Sequence, residues 1–281
     1  MTTERAETET SFTKKSKAKV EVDNAGKAIM DNLIQWPEAK YWNKPWNPWL
    51  GCKRISPACD NCYARASSER FNCPFEPHET SKQNPPRRGV VFCGNMTDLF
   101  GEWIDAGDAI DLIRRTMGFS HKATYLWLTK RPEKMCVALK KGTLVYCDED
   151  GDHESPFFDC EFQNQFFGFT AENQEWYDKR FHAFRSEKPD WANGWLSAEP
   201  LLGPICLRLG NVAPEFKWVV VGCESGPHRR PCKIEWVEEV VYQAMRRDIP
   251  VFVKQLDIDG ECVRDINRFP EHLRIRQVPW K

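Results

Sequence analysis

Residues 218–226 read WVVVGCESG, an apolar run that ends abruptly in small and polar residues. A short run rich in Val and Trp, bounded by Gly, is typical of a buried β-strand. Runs of the same kind recur at residues 90–92, 124–128, 166–169, 195–196 and 251–253, and residues 46–50 are an earlier candidate. Between several of these runs the apolar residues have the spacing of a helix, at about residues 106–117, 133–140, 174–184 and 235–247.

Strands that alternate with helices predict a parallel sheet with crossover helices. We therefore predict an α/β fold, a partial or full (β/α) barrel of about six to eight parallel strands. Residues 1–27 are polar and charged with almost no aromatics, so we expect a disordered tail there. Residues 28–281 are then a single barrel domain with an acidic insertion at about residues 143–165.

Polar residues follow nearly every predicted strand. These stretches are residues 94–98, 129–132, 170–173, 197–200, 222–226 and 254–255. In a parallel barrel the carboxyl ends of the strands meet at one mouth, where active sites lie. Thr170, Ser197 and Asp98 would also suit ordinary helix N-caps, but Lys130 and Glu224 are not preferred caps. The sequence therefore predicts a functional site at this mouth.

Three cysteines near the front of the chain predict a metal site on the same rim. Cys59 and Cys62 form a Cys-x-x-Cys pair, and Cys52 lies upstream of them. Three thiolates suit a four-iron cluster with one open iron, at which a reacting molecule can bind. A structural zinc site stays open as an alternative, with Cys73 as the fourth ligand.

The composition limits the class of protein and its compartment. The 281 residues carry 40 basic and 41 acidic side chains, so no global basic field attracts nucleic acid. Residues 1–5 lack the apolar segment of a signal peptide, and no apolar run has membrane-spanning length. With 12 cysteines, we expect a cytoplasmic protein whose thiols are kept reduced, some of them on metal, and no membrane partner.

The chain resembles the phage-associated three-cysteine-motif proteins, a family placed near the radical S-adenosylmethionine (SAM) enzymes. The resemblance spans roughly residues 46–255. Beside the cysteines, its motifs here are residues 47–49, 63–64, 96–100, 129–132, 197–204, 224–226, 230–231 and 254–255. Cys223 stands where the family usually has Gly, and residues 256–257 replace its usual Trp-Gly. The first gap between the cysteines is also longer than the commonest radical SAM spacing.

This resemblance implies a radical SAM-like barrel with a [4Fe-4S] cluster on Cys52, Cys59 and Cys62, and with SAM on the open iron. An external one-electron donor would drive cleavage of SAM to methionine and a 5′-deoxyadenosyl radical, which abstracts hydrogen from the substrate. The implied cofactor-binding residues are Gly94, Asn95, Thr97, Asp98, Thr170, Glu172, Ser197 and Glu199.

Lys130, Glu224 and Cys223 are candidate catalytic residues because each lies just past a predicted strand. Two interpretations of Cys223 stay open. A small buried thiol is common in protein cores. Alternatively, its weak S–H bond would let it return a hydrogen atom to a product radical.

The resemblance further implies an isomerase that rearranges an amino-acid substituent on a modified thymine, in phage DNA hypermodification against restriction. The substrate is then a modified DNA base or nucleotide, met in the host cytoplasm if the chain is phage-encoded. Residues 87–88, 130–131 and 228–230 are candidate phosphate contacts. Two other functions stay open: a non-catalytic zinc or iron–sulfur protein that acts with a nuclease-like partner, and a hydrolase that uses Glu199 and Glu224.

Overall fold

The computed structural model describes residues 34–117, 119, 122–142, 144–148, 151–155, 164–209 and 215–280. The predicted disordered tail, residues 1–27, lies outside the described residues. The α-helices are α1 (Tyr63–Arg70), α2 (Ala106–Met117), α3 (Pro132–Lys141), α4 (Gln174–Glu187) and α5 (Ile234–Met245). Short 3₁₀ helices lie at Pro57–Cys59, Ile266–Arg268 and Glu271–Leu273. Within the described ranges, no helix is long and apolar enough to cross a membrane.

The strands form one large sheet and three small ones. They are β1 (Ile34–Gln35), β2 (Lys44–Trp46), β3 (Trp49–Leu50), β4 (His78–Glu79), β5 (Gly89–Cys93), β6 (Ala123–Thr129), β7 (Leu144–Asp148), β8 (Gly151–Ser155), β9 (Gln165–Thr170), β10 (Asn193–Ala198), β11 (Trp218–Gly222), β12 (Val251–Ile258), β13 (Glu261–Val263) and β14 (Gln277–Val278). The small sheets pair β1 with β14, β3 with β4, and β7 with β8.

The large sheet has eight strands in the order β13-β12-β11-β10-β9-β6-β5-β2. Its neighbours pair in parallel, except for the antiparallel hairpin of β12 and β13. The sheet is curled into a half-barrel and is open between its two edges. This confirms the predicted α/β class and parallel sheet, and the barrel is partial rather than closed.

Most predicted elements agree with the observed ones to within a few residues. Residues 46–50 differ, because they divide between β2 and β3 at Asn47 and Pro48. β2 pairs with β5 in the large sheet, whereas β3 pairs with β4 in a separate small sheet. The acidic insertion contains the hairpin of β7 and β8, which is added to the barrel between α3 and β9.

Alternate residues of the parallel strands pack on opposite faces of the sheet, as strand geometry requires. Outward-facing side chains such as Val91 pack in the core shared with the helices. Inward-facing side chains such as Trp218 form a second core, which Tyr41 and Trp280 complete from outside the large sheet. The Trp218 ring centroid lies 5.1 Å from that of Tyr41 and 4.8 Å from that of Trp280. This aromatic cluster fills the amino-terminal half of the half-barrel and leaves the carboxyl-terminal half for a cavity.

Candidate functional site

A cavity of about 460 Å³ lies at the carboxyl ends of the parallel strands. Residues at or after the ends of β5, β6, β9, β10 and β11 contribute to its wall, and Lys254 and Gln255 contribute from the middle of β12. The predicted site residues in that wall are Cys52, Cys59, Cys62, Gly94, Asn95, Thr97, Asp98, Lys130, Thr170, Ser197, Glu199, Cys223 and Glu224. The volume is in the usual range for a small-molecule site. The structure therefore brings together all of the predicted site residues except Glu172.

Residues 52–62, the cysteine loop, are tied at their start to the polar residues after β5. The Gly51 N–H donates to the Met96 carbonyl at 3.2 Å, and the Thr97 hydroxyl donates to the Gly51 carbonyl at 2.6 Å. The loop then makes the 3₁₀ turn that ends at Cys59, and α1 begins directly after Cys62. Two of the three thiols are thus set on successive turns of the chain.

Glu224 and Arg230 hold the cysteine loop from the other side. Their side chains form a bidentate ion pair, with Nε to Oε2 at 2.9 Å and Nη2 to Oε1 at 2.5 Å. The Asn61 amide donates to Glu224 at 3.0 Å, and Arg230 donates to the Pro57 carbonyl at 3.0 Å. The Glu224 carboxylate therefore fastens the loop to the end of β11.

The same contacts fix the charge of Glu224. Burial acts to raise the pKa of this carboxyl, but hydrogen bonds from Arg230 and Asn61 outweigh burial and lower the pKa below its ordinary value. A glycosidase-type general acid needs a raised pKa. Glu224 therefore does not suit the general-acid role in a hydrolase that would pair it with Glu199.

Glu172 contacts the cysteine loop but is not part of the cavity wall. It is fully buried, accepts from the Ala58 N–H at 3.3 Å, and pairs with Arg180 at 2.6 Å. Arg180 also donates to the Thr170 carbonyl at 2.8 Å. The structure thus places Glu172 as a support of the cysteine loop, in place of the predicted cofactor contact.

Asp98 is in the wall, but its acceptor capacity is already used. Its carboxylate accepts from the Thr129 hydroxyl at 2.7 Å, the Phe100 N–H at 3.1 Å, the Lys130 N–H at 3.1 Å and Arg131 at 3.0 Å. A carboxylate has about four acceptor sites. Asp98 therefore joins the loops after β5 and β6 and has no acceptor site left for a cofactor amine.

The candidate phosphate contacts are largely committed to the protein. Arg131 is buried between Asp98 and Glu102, and Arg230 is paired with Glu224. Residues 87–88 precede β5, so they lie at the opposite end of the sheet from the cavity. Of the predicted cations, Lys130 is placed in the cavity wall without such an ion pair among the described residues.

Lys130 acts on two of the cysteine thiols. Burial raises the pKa of Cys52 to about 12, and the charge of Asp98 adds to that rise while Lys130 opposes it. Burial also acts to raise the pKa of Cys59, but the charge of Lys130 and hydrogen bonds including one from Ser56 outweigh it and lower the pKa. A nearby cation favours the thiolate, which is the form that binds metal.

A family model described as a protein of unknown function, DUF5131, matches residues 34–265. The chain belongs to the DUF5131 family. The whole cavity wall lies within the matched residues. No curated protein and no solved structure matches the chain.

The donor set of this DUF5131 chain fits a cluster held by three protein thiolates. Cys52, Cys59 and Cys62 line one cavity, whereas Cys73 is exposed beyond the far end of α1 and outside the wall. In the described part of the chain, no three His, Cys, Asp or Glu side chains already form a metal-coordinating group. A cluster on the three cysteines would require their side chains to turn toward a common centre.

Several residues of the DUF5131 site had no role in the sequence prediction. Asn47 donates to the Asn95 side chain at 2.7 Å and accepts from the Met96 N–H at 3.0 Å, and the Tyr63 hydroxyl donates to the Asn95 carbonyl at 2.5 Å. Both residues lie in motifs that carry the family resemblance, which is the signal that could have found them. Arg180 gave no such signal, since an arginine on a helix is normally solvent-exposed.

Proposed function

We propose that this protein is a radical SAM enzyme with a [4Fe-4S] cluster on Cys52, Cys59 and Cys62. The observation that carries the proposal is the meeting of these cysteines with polar residues of six strands around one cavity. The half-barrel of parallel strands agrees with the radical SAM-like barrel that the motifs imply. The tight fastening of the cysteine loop also supports it, because a catalytic site needs a rigid first layer of ligands.

When bound, such a cluster supplies the electron that cleaves SAM, and the cleavage leads to hydrogen abstraction from the substrate. The chain's own residues prepare the site for it. Lys130 favours the thiolate form of Cys59. Glu172 and the Glu224–Arg230 pair hold the loop from two sides. Gly94, with φ +76°, turns the chain sharply after β5, so that the following residues face the cavity.

As substrate we propose a modified thymine with an amino-acid substituent, which the enzyme rearranges. An amino-acid group carries a carboxylate and an ammonium, and the wall offers charges of both signs. Lys130 suits the carboxylate, and Glu199, which forms an ion pair with Lys254, suits the ammonium. A base in a duplex would have to be flipped out to enter a cavity of this size.

Metal analysis of anaerobically purified protein tests the cluster. We expect a brown, oxygen-sensitive protein with about four irons per chain that cleaves SAM when reduced. Cys52→Ala, Cys59→Ala or Cys62→Ala should each abolish the iron. Cys73→Ala is the matched control and should keep it, because Cys73 is outside the wall. A colourless, air-stable zinc protein that loses its metal in Cys73→Ala would contradict the proposal and favour the non-catalytic alternative.

A Lys130→Met variant tests the substrate assignment. Loss of one charged hydrogen bond to a substrate carboxylate should reduce the yield of isomerised product about ten- to a hundred-fold. The assay follows a thymine nucleotide with an amino-acid substituent by mass spectrometry and chromatography. Iron content and SAM cleavage are measured in the same samples, and Lys130→Arg is the charge-conserving control. Equal losses of iron and product in Lys130→Met would show that Lys130 serves the cluster alone.

A further inference from the structure

Two cysteines outside the cysteine loop lie side by side, one of them in the cavity wall. Cys223 follows β11, lines the cavity and is fully buried, whereas Cys262 lies in β13 and is half-buried. Their Sγ atoms are 3.8 Å apart, with the Cys223 thiol as donor to Cys262. Neither Cys262 nor the pairing has a role in the proposed radical chemistry.

The surroundings of the pair shift the pKa values of its two thiols in opposite directions. The hydrogen bond from Cys223 lowers the pKa of Cys262; burial opposes this shift, and the charges of Arg264 and Arg229 add to it. The same hydrogen bond, together with burial, raises the pKa of Cys223. Cys262 is thus the partly exposed sulfur on which the thiolate is favoured, and Cys223 is the buried thiol beside it. A reactive thiolate beside a second thiol is the arrangement of a redox-active cysteine pair.

We propose that Cys223 and Cys262 are a reversible dithiol–disulfide pair that is oxidised by small-molecule disulfides of the glutathione class. The Cys262 thiolate attacks one sulfur of the disulfide, forms a mixed disulfide and expels one thiolate. Cys223 then gives its proton to the released thiolate, attacks the Cys262 sulfur and expels the second thiolate, which takes a proton from water. The two protein thiols are oxidised to one disulfide, and the small molecule is reduced to two thiols.

The location of the pair permits this closure. The Sγ atoms must approach from 3.8 Å to about 2.05 Å. The backbone of Cys223 is held by Gln255, which accepts from its N–H at 3.2 Å and donates to its carbonyl at 2.7 Å. Cys262 lies on the three-residue edge strand β13, which pairs with β12 alone in the large sheet. Cys262 is thus on the element with fewer constraints, and oxidation would fasten this edge to the cavity wall.

Peptide mapping of the full chain tests the proposal. The reduced protein is treated anaerobically with oxidised glutathione, alkylated with N-ethylmaleimide and digested with trypsin without reduction. Trypsin separates the two thiols, since it leaves them on residues 218–229 and 255–264. We expect these two peptides to be joined, with a loss of about 2 Da, and dithiothreitol should release them. Cys223→Ser should retain glutathione on Cys262, and Cys262→Ser should retain none at this site.

Cys73→Ser is the matched control, because Cys73 is exposed and removed from the pair; it should leave the joined peptides unchanged. The mapping of the wild-type chain decides the matter even if a variant fails to fold. The inference is overturned if wild-type Cys262 keeps glutathione while Cys223 stays free, or if both thiols are alkylated. Since the readout needs no iron and no SAM, it is independent of the proposed enzyme activity.

Discussion

Hydrogen bonds converge on the Glu224 carboxylate from Asn61 and from the backbone and guanidinium of Arg230. Asp98 and Glu172 are engaged in the same way by their own donors. A buried carboxylate is tolerated only when it is paired and hydrogen-bonded. These acidic side chains thus organise the loops around the cavity.

Replacement of Glu224 by glutamine tests whether this carboxylate stabilises the loops around the cavity. Glu224→Gln removes the charge and one acceptor beside Arg230, so we expect a loss of about 1–3 kcal/mol in the free energy of unfolding at pH 7. Because the folded-state pKa of Glu224 is lowered from 4.5, its contribution is complete above pH 4.5 and is lost as pH falls through the lower value. The difference between wild type and variant should shrink in that acid range, as measured by urea unfolding.

Glu187→Gln is the matched control for this substitution. Glu187 pairs with Lys140 at 2.5 Å, but both side chains are about half exposed. Exposed pairs contribute about 0–1 kcal/mol, so this variant should unfold almost as the wild type does. An equal loss of stability in both variants would show that the buried Glu224 carboxylate stabilises the fold no more than an exposed one does.

At the scale of elements, the close packing of β9 on β10 depends on Gly168. Gly168 pairs with Trp195, and a Cβ at Gly168 would lie 2.5 Å from the Trp195 ring. The added methyl group in Gly168→Ala must therefore displace a fully buried tryptophan. We expect a cost of about 1–3 kcal/mol in the free energy of unfolding, with a lower urea midpoint.

Gly107→Ala makes the same chemical change on α2 and serves as its control. A Cβ there would meet only the Asp105 carboxylate, at 3.1 Å. Alanine is favoured over glycine in a helix by about 1 kcal/mol, which offsets that contact. Gly107→Ala should therefore be near neutral. If Gly168→Ala were as stable as Gly107→Ala, the Trp195 ring would be able to move aside for the added methyl group, and the packing argument would be wrong.

The strands and helices of the barrel could be predicted because their signals are local. The bounds predicted for α2 are the observed ones, since its apolar spacing covers three turns without interruption. The positions of side chains at the mouth could be predicted as well, because they follow from strand direction. The partners of Glu172 and Asp98 could not, since an ion pair between distant segments leaves no periodic pattern in the sequence.

At the scale of the whole molecule, segments outside the large sheet cover the inner face of the half-barrel. β1 pairs with β14, with Ile34 opposite Val278, and this pairing brings the last described residues against the inner face. The match to the DUF5131 family ends at residue 265, before β14. The aromatic cluster of the inner core is thus completed by residues beyond the matched range, and local sequence patterns gave no indication of it.

Substitution of Trp280 tests how much this packing on the inner face stabilises the protein. Trp280 is 5% exposed and packs on Trp218 and Phe166, with ring centroids 4.8 and 5.5 Å away. Trp280→Ala should cost about 3–5 kcal/mol and lower the urea midpoint, because it opens a cavity inside the half-barrel. The Trp280 indole N–H is buried without a partner among the described residues, so Trp280→Phe should cost less. Phe71→Ala, at a side chain 72% exposed, should stay within about 0.5 kcal/mol of wild type. If Trp280→Ala kept the urea midpoint of the wild type, the half-barrel would be stable without the packing of Trp280 on its inner face.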